Sequence, residues 1–233
     1  MIIDKVFKFL TKNIDISDDR KKEIENYEKT RARLIKIMIR TSKLSKFRLF
    51  LISQFMTFFG CGKVKKAPGT LASFMTVALW FLITTAFIKN NMTPLFEILF
   101  WSILIALCSL YSVIFTPIYT RNFDTYDHPS IVIDEVVGQL ITLTLSYIVF
   151  RDYYVQESWI LTKIVMFAHM FLSFLLFRTL DIAKPSIIGT IDRKYKNPFG
   201  VLLDDVLAGF IGAILIITLF LFYENAIIQL HQL

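Results

Sequence analysis

Two acidic pairs open apolar runs in this chain: Asp134-Glu135 in IVIDEVVG at 131–138, and Asp204-Asp205 in VLLDDVLAGF at 201–210. A carboxylate in or beside a membrane-length apolar helix loses hydration that hydrocarbon cannot replace, at roughly 2.5 to 3.5 kcal/mol at the helix centre on insertion scales. Each pair therefore needs a partner. Each also has a small residue on the next turn, Gly138 four positions after Asp134 and Ala208-Gly209 after the aspartates, which lets a neighbouring backbone come close beside the acids. The competing explanation is that acidic residues at a helix N-terminus answer the helix dipole and do no chemistry.

A third constellation, FRTLDIAKPS at 177–186, spaces Arg178, Asp181 and Lys184 three residues apart. That puts the three charges along one helix face until Pro185 disfavours helix at the residue before it. The arrangement suits a structural salt bridge, or an anion clamp beside a metal ligand. A fourth, GCGKVKKAPGT at 60–70, gathers Lys63, Lys65 and Lys66 with glycines and a Pro-Gly turn. Such a surface suits phosphate or lipid headgroups, although the P-loop fingerprint is not matched. Several carboxylates with little His or Cys select Mg²⁺, Mn²⁺ or Ca²⁺ over zinc. Carboxylates alone repel a phosphate, whereas carboxylates holding a divalent cation among lysines and an arginine attract one. Metal-assisted phosphoryl chemistry is what these residues support.

The elements that must position them are apolar and long. Of 233 residues, 55% are hydrophobic and 23 are Phe, richer than an ordinary soluble domain. Apolar runs cover 70–88, 95–118 (interrupted by Glu97), 131–150, 160–180 and 201–222, each long enough to cross a hydrocarbon core of roughly 30 Å. The expected architecture is all-α: a membrane-embedded bundle of about five apolar helices over residues 49–233, preceded by a basic arm or surface helix at 1–48. Residues 1–48 hold 14 Lys+Arg against 7 Asp+Glu and the remainder 12 against 12, so the whole net charge of +7 sits on the arm. Basic residues interleaved with Leu, Ile and Phe suit an anionic membrane surface, or a solvated arm. Because the basic stretch leads straight into apolar sequence, nucleic-acid binding is a poor fit.

A cytoplasmic N-terminus puts 63–66, 119–130 and 181–200 on the cytoplasmic side by the positive-inside rule. Those loops carry Lys63, Lys65, Lys66, Arg121, Lys184, Arg193, Lys194 and Lys196, while 89–94 and 151–159 hold only Lys89 and Arg151. All five carboxylates then lie at one face. MIIDKVFKFL carries Asp4 and leads to no small-residue cleavage site, so no cleaved signal is expected. Cys61 and Cys108 match neither a disulfide nor a metal pattern.

Haloacid-dehalogenase, cysteine-phosphatase, CDP-alcohol-phosphotransferase and histidine lipid-phosphatase signatures are absent. KKAPGT at 65–70, IVIDEVVG at 131–138, FRTLDIAKP at 177–185 and LLDDVLAG at 202–209 instead resemble, in order, the phosphatidylglycerophosphatase A family, from about Gly60 to Gly209. The resemblance implies a phosphatase that removes the terminal phosphate of phosphatidylglycerophosphate, requires Mg²⁺ and works in the bacterial inner membrane with its site on the cytoplasmic side. Carried over residue by residue, it gives Asp134, Asp181, Asp204 and Asp205 as metal ligands, and Glu135 as a further ligand or base. Arg178 and Lys184 would hold the phosphate beside Asp181, and Lys65, Lys66 and Thr70 would meet the anionic lipid. The competing class is an ion-coupled transporter or channel, which predicts carboxylates at mid-span or on both sides.

Overall fold

The computed structural model describes residues 46–123, 125–155, 159–185, 188–190 and 197–231. The arm up to residue 45 and loop residues Arg193, Lys194 and Lys196 lie outside them. Contacts divide the chain into two units, Met1–Arg48 and Leu49–Leu233. The described residues form α-helices α1 (Lys46–Met56), α2 (Pro68–Lys89), α3 (Pro94–Tyr119), α4 (Ile133–Val155), α5 (Trp159–Ala183) and α6 (Pro198–His231), with single 3₁₀ turns at Cys61–Lys63 and Thr120–Asn122 and no strand among them. Helices α2 to α6 are each long and apolar enough to cross a membrane. The expected all-α bundle with five apolar spans is the architecture found. Its last helix runs beyond the apolar run, to His231 rather than 222.

Local signals explain the boundaries. Proline opens α2, α3 and α6, where its missing N–H costs nothing and its fixed φ suits a first turn. Before α3, the Thr93 hydroxyl accepts from the Phe96 N–H at 3.3 Å, a helix N-cap. Helix α5 stops at Ala183, because Lys184 takes a left-handed backbone (φ 43°) ahead of Pro185. The reversal after α1 uses three successive positive φ values, at Phe58, Phe59 and Gly60.

Helix α4 is the centre of the bundle and packs on α2, α3, α5 and α6, most extensively on α6. Of its apolar stretch 78% is buried, against 11–28% in the other four, yet its mean hydropathy of 1.4 is the lowest of the five. That inversion belongs to a bilayer: the outer helices must match lipid, while the inner one can hold polar and small residues against protein. Gln139, Thr142, Thr144 and Ser146 on α4 are all buried.

The α4–α6 contact depends on two glycines. A β-carbon on Gly209 would stand 2.5 Å from the Gly138 carbonyl oxygen, and one on Gly138 would stand 2.6 Å from that of Asp205. The Thr142 hydroxyl reaches both Gly138 O and Gly209 O at 3.1 Å, bridging the helices at their closest approach. Chain direction alternates from α2 to α6, so the starts of α2, α4 and α6 and the end of α5 share one end of the bundle.

Candidate metal and phosphate site

At that end the acids converge. Carboxylate oxygens of Asp134, Glu135 and Asp205 all lie within 4.8 Å of one another, a spacing that lets a single cation reach all three. Asp134, Asp204 and Asp205 are each only 5% exposed. Asp134 Oδ1 accepts from the Glu135 N–H at 3.1 Å, which fixes its carboxyl against the first turn of α4. Asp181 lies beside Asp205, and Asp204 near Asp134. The α4–α6 glycine crossing sits one turn from both acidic pairs, so close helix approach is what brings α6's acids onto α4's.

The basic residues pair with the two aspartates outside that trio. Arg178 Nη1 donates to Asp181 Oδ2 within α5, and Arg178 Nη2 donates to the Thr70 hydroxyl on α2 at 3.3 Å. Lys184 Nζ donates to Asp204 Oδ2 at 2.5 Å. Spacing places Lys184 along the face of Arg178 and Asp181 until Pro185 disfavours helix at that residue; the helix does end at Ala183, and the Lys184 side chain is bonded to Asp204 on α6. Asp181 and Asp204 are thus each held by a cationic side chain, and Glu135 stands among the grouped carboxylates.

The donor set suits a hard divalent cation. Glu135 Oε2 and Asp205 Oδ1 are buried and lack a hydrogen-bond partner among the described residues. Buried oxygens of this kind carry a full desolvation penalty unless something positive meets them. Arg178 and Lys184 pair with Asp181 and Asp204, while Asp134, Glu135 and Asp205 converge on one another; a divalent cation among these three would offset their charge, and all-oxygen ligation is what Mg²⁺ takes. Arg178 Nε is likewise buried without a partner among the described residues, an unmet donor of the kind an oxyanion satisfies.

The lysine loop is placed differently from the acids. Lys65 and Lys66 are exposed, just ahead of α2, whose first turn carries Gly69 against Glu135. The glycines of GCGK serve the fold, Gly60 by its positive φ of 98° and Gly62 by packing, since a β-carbon on Gly62 would collide with the Ser130 carbonyl; the Val132 N–H donates to Met56 O at 3.0 Å, tying this turn to the entry of α4. Both cysteines are free, and burial pushes the Cys61 thiol above its usual pKa, away from thiolate chemistry.

Sequence reasoning missed three features. Gly69 gives Glu135 and Arg178 the room they occupy. At the opposite end of the bundle, Glu97 is fully buried and accepts from Tyr147 Oη at 2.8 Å and from Arg151 Nη2 at 3.1 Å. Buried His169 lies between Ser146 Oγ and Tyr154 Oη, each at 2.8 Å. The available signal was an ionisable residue inside an apolar run, Glu97 and His169 alike.

The family profile described as Phosphatidylglycerophosphatase A matches residues 54–220, a span that contains every residue of the site. Phosphatidylglycerophosphatase A of Haemophilus influenzae is 32% identical over 165 residues, covering 69% of this chain and 83% of that protein. Its namesake from Escherichia coli is 30% identical over 155 residues, covering 66% and 75%. No solved structure matches. With the family profile covering well over half the chain and the relatives aligned over most of their own length, the chain belongs to the phosphatidylglycerophosphatase A family.

Proposed function

We propose that the protein is a Mg²⁺-dependent phosphoric monoester hydrolase that converts phosphatidylglycerophosphate to phosphatidylglycerol and inorganic phosphate. The observation that carries this reading is the meeting of Asp134, Glu135 and Asp205 within 4.8 Å, at the end of the bundle where Arg178 and Lys184 also stand. Family membership supplies the substrate class. Asp134, Glu135 and Asp205 are grouped at one end, and Glu97, buried at the other, is paired with Tyr147 and Arg151, an arrangement that weighs against an ion path through the spans.

Asp134, Glu135 and Asp205 would hold Mg²⁺, with Asp181 and Asp204 beside them. Bound there, the ion would act as a Lewis acid on a phosphoryl oxygen and lower the pKa of water. Arg178, fixed by Asp181 and Thr70, presents its buried Nε–H to a phosphate oxygen and offsets charge as it develops on transfer. Lys184 holds Asp204 in place and brings a second positive charge to the same edge. Glu135 would serve either as a further ligand of that ion or as the base that takes a proton from attacking water. Lys65 and Lys66, exposed before α2, would receive the anionic headgroup.

The positive-inside pattern supports a cytoplasmic site, and the bacterial relatives an inner-membrane location. The arm at 1–48 would lie on the anionic face of that membrane. The test is phosphate release from phosphatidylglycerophosphate by the purified protein in detergent. Activity should require Mg²⁺, vanish with a chelator and return when Mg²⁺ is restored. Asp205→Asn should lower it about a hundredfold or more, since partners standing behind a metal's ligands already cost about 10–100-fold. Full activity in a chelator would sink the metal assignment.

A further inference from the structure

Between α2, α3 and α4, against the turn that follows α1, lies a cavity of about 180 Å³. Its walls are aliphatic and aromatic, with the Cys108 thiol on one side. The single hydroxyl in its lining, Thr76, is turned back onto the Ala72 carbonyl at 2.8 Å. Lining residues run from Thr76 to Ile83 on α2 and from Ile133 to Leu140 on α4, about 10 Å along the bundle at 1.5 Å per residue. The stacked rings of Trp80 and Trp101, 6.0 Å apart, wall it on the α2 and α3 side.

We propose that this groove takes one acyl chain of the phospholipid whose phosphate is held at the acid cluster, an inference that rests on the function proposed above. Three observations lead there. The groove begins at the level of the site: Ile133 and Val136 line it, and Asp134 and Glu135 stand between them in sequence on the same turn of α4, directed to another side of that helix. Three of its lining residues, Phe55, Phe59 and Leu79, are 45%, 66% and 40% exposed, so its apolar surface runs out to the apolar exterior of the bundle. It also offers an occupant almost no hydrogen bonding: the Thr76 hydroxyl is already bonded, which leaves the weakly donating Cys108 thiol and the indole N–H groups of Trp80 and Trp101. A peptide segment would bring N–H and C=O groups that this lining leaves unpaired, whereas a hydrocarbon chain brings none. Apolar cavities of about 150 Å³ stay dry and accept apolar guests. The protein therefore selects its substrate by chain as well as by phosphate, and a water-soluble phosphomonoester forgoes the groove's contribution.

Leu104→Trp and Ile83→Trp each fill the groove from a different helix and lie outside the acid cluster. With dioleoyl phosphatidylglycerophosphate in micelles, each variant should lose about tenfold in kcat/KM, equivalent to losing burial of about two methylenes. On the deacylated compound, glycerophosphoglycerophosphate, kcat/KM should stay at the wild-type value. An equal fall on both substrates, or no fall on the diacyl lipid, overturns the groove. A phosphatidylglycerophosphate carrying a mid-chain diazirine should label α2 and α3 at the groove, compete with unlabelled phosphatidylglycerophosphate and lose its label in Leu104→Trp. Labelling spread over the outer helix faces overturns the proposal. Because labelling needs no turnover, a protein labelled in the groove but inactive on both substrates would refute the phosphatase reading and leave the chain site standing.

Discussion

Gly69 sits where the first turn of α2 meets Glu135, and a β-carbon there would collide with Glu135 Oε1 and stand 3.2 Å from Arg178 Nη1. A methyl at this position therefore acts on the site without changing any charge. Glu135 must swing away, and Arg178 can follow because Thr70 and Asp181 hold only two of its donors. Gly69→Ala is expected to lower kcat by about tenfold or more, as displacements of roughly 1 Å can cost a hundredfold. Melting temperature should change far less, since a swing of the Glu135 end relieves the crowding. Kinetics and thermal denaturation on the same preparation check this, and wild-type kcat would show that Glu135's present position is not needed. The acids themselves were legible in the sequence because a carboxylate in an apolar run is costly enough to demand an explanation. Gly69 was not, because crowding around a glycine depends on which distant side chain comes to lie over it.

At the scale of elements, the site is a consequence of how closely α6 approaches α4. DEVVG and DDVLA share a spacing of acids and small residues, and from that spacing close packing of the two helices follows. Its mode did not follow: Gly138 and Gly209 touch backbone to backbone, with Thr142 bridging both carbonyls. The end of α5 was visible in Pro185, but the partner of Lys184 was not, because leaving the helix one residue early redirects its side chain from Asp181 toward Asp204. Gly209→Leu forces α6 away from α4, and overpacking of this kind costs about 1–3 kcal/mol. Since Asp134 and Asp205 sit on opposite sides of the contact, Mg²⁺ affinity should fall together with stability. Titrating activity against Mg²⁺ and unfolding the protein in denaturing detergent measure the two effects, and an unchanged Mg²⁺ dependence would show that the crossing does not set the carboxylate spacing.

Across the described residues, the buried acidic side chains concentrate at two places in the bundle, Asp134, Asp204 and Asp205 at one and Glu97 at the other. The acid cluster lies at the start of α4, and the Glu97–Tyr147–Arg151 group lies near its end, about 25 Å away at 1.5 Å per residue. Hydropathy made the five spans readable, since hydrocarbon length and apolar composition are properties of each segment alone. It could not identify α4 as the central helix, because centrality depends on four neighbours; only the lower hydropathy of α4 hinted at it. The two polar groups should respond to mutation in opposite ways. Glu97 is fully buried and its partners Tyr147 and Arg151 face it from α4, so this group clamps α3 to α4 at the end remote from the chemistry. Removing one partner of a buried ion pair strands the other, which costs about 3–5 kcal/mol; Arg151 is partly exposed, so Glu97→Ala should fall at or below the lower end of that range. The variant should melt at a lower temperature while the protein that remains folded keeps its kcat and its Mg²⁺ requirement. Glu97→Gln, which can still accept from Tyr147 Oη, should recover part of the stability. Asp205→Asn is the converse, losing turnover while the α3–α4 clamp is intact. Melting curves and kcat per folded molecule for the three variants separate the roles, and a loss of kcat in Glu97→Ala at full folding would mean that the two ends are coupled through α4.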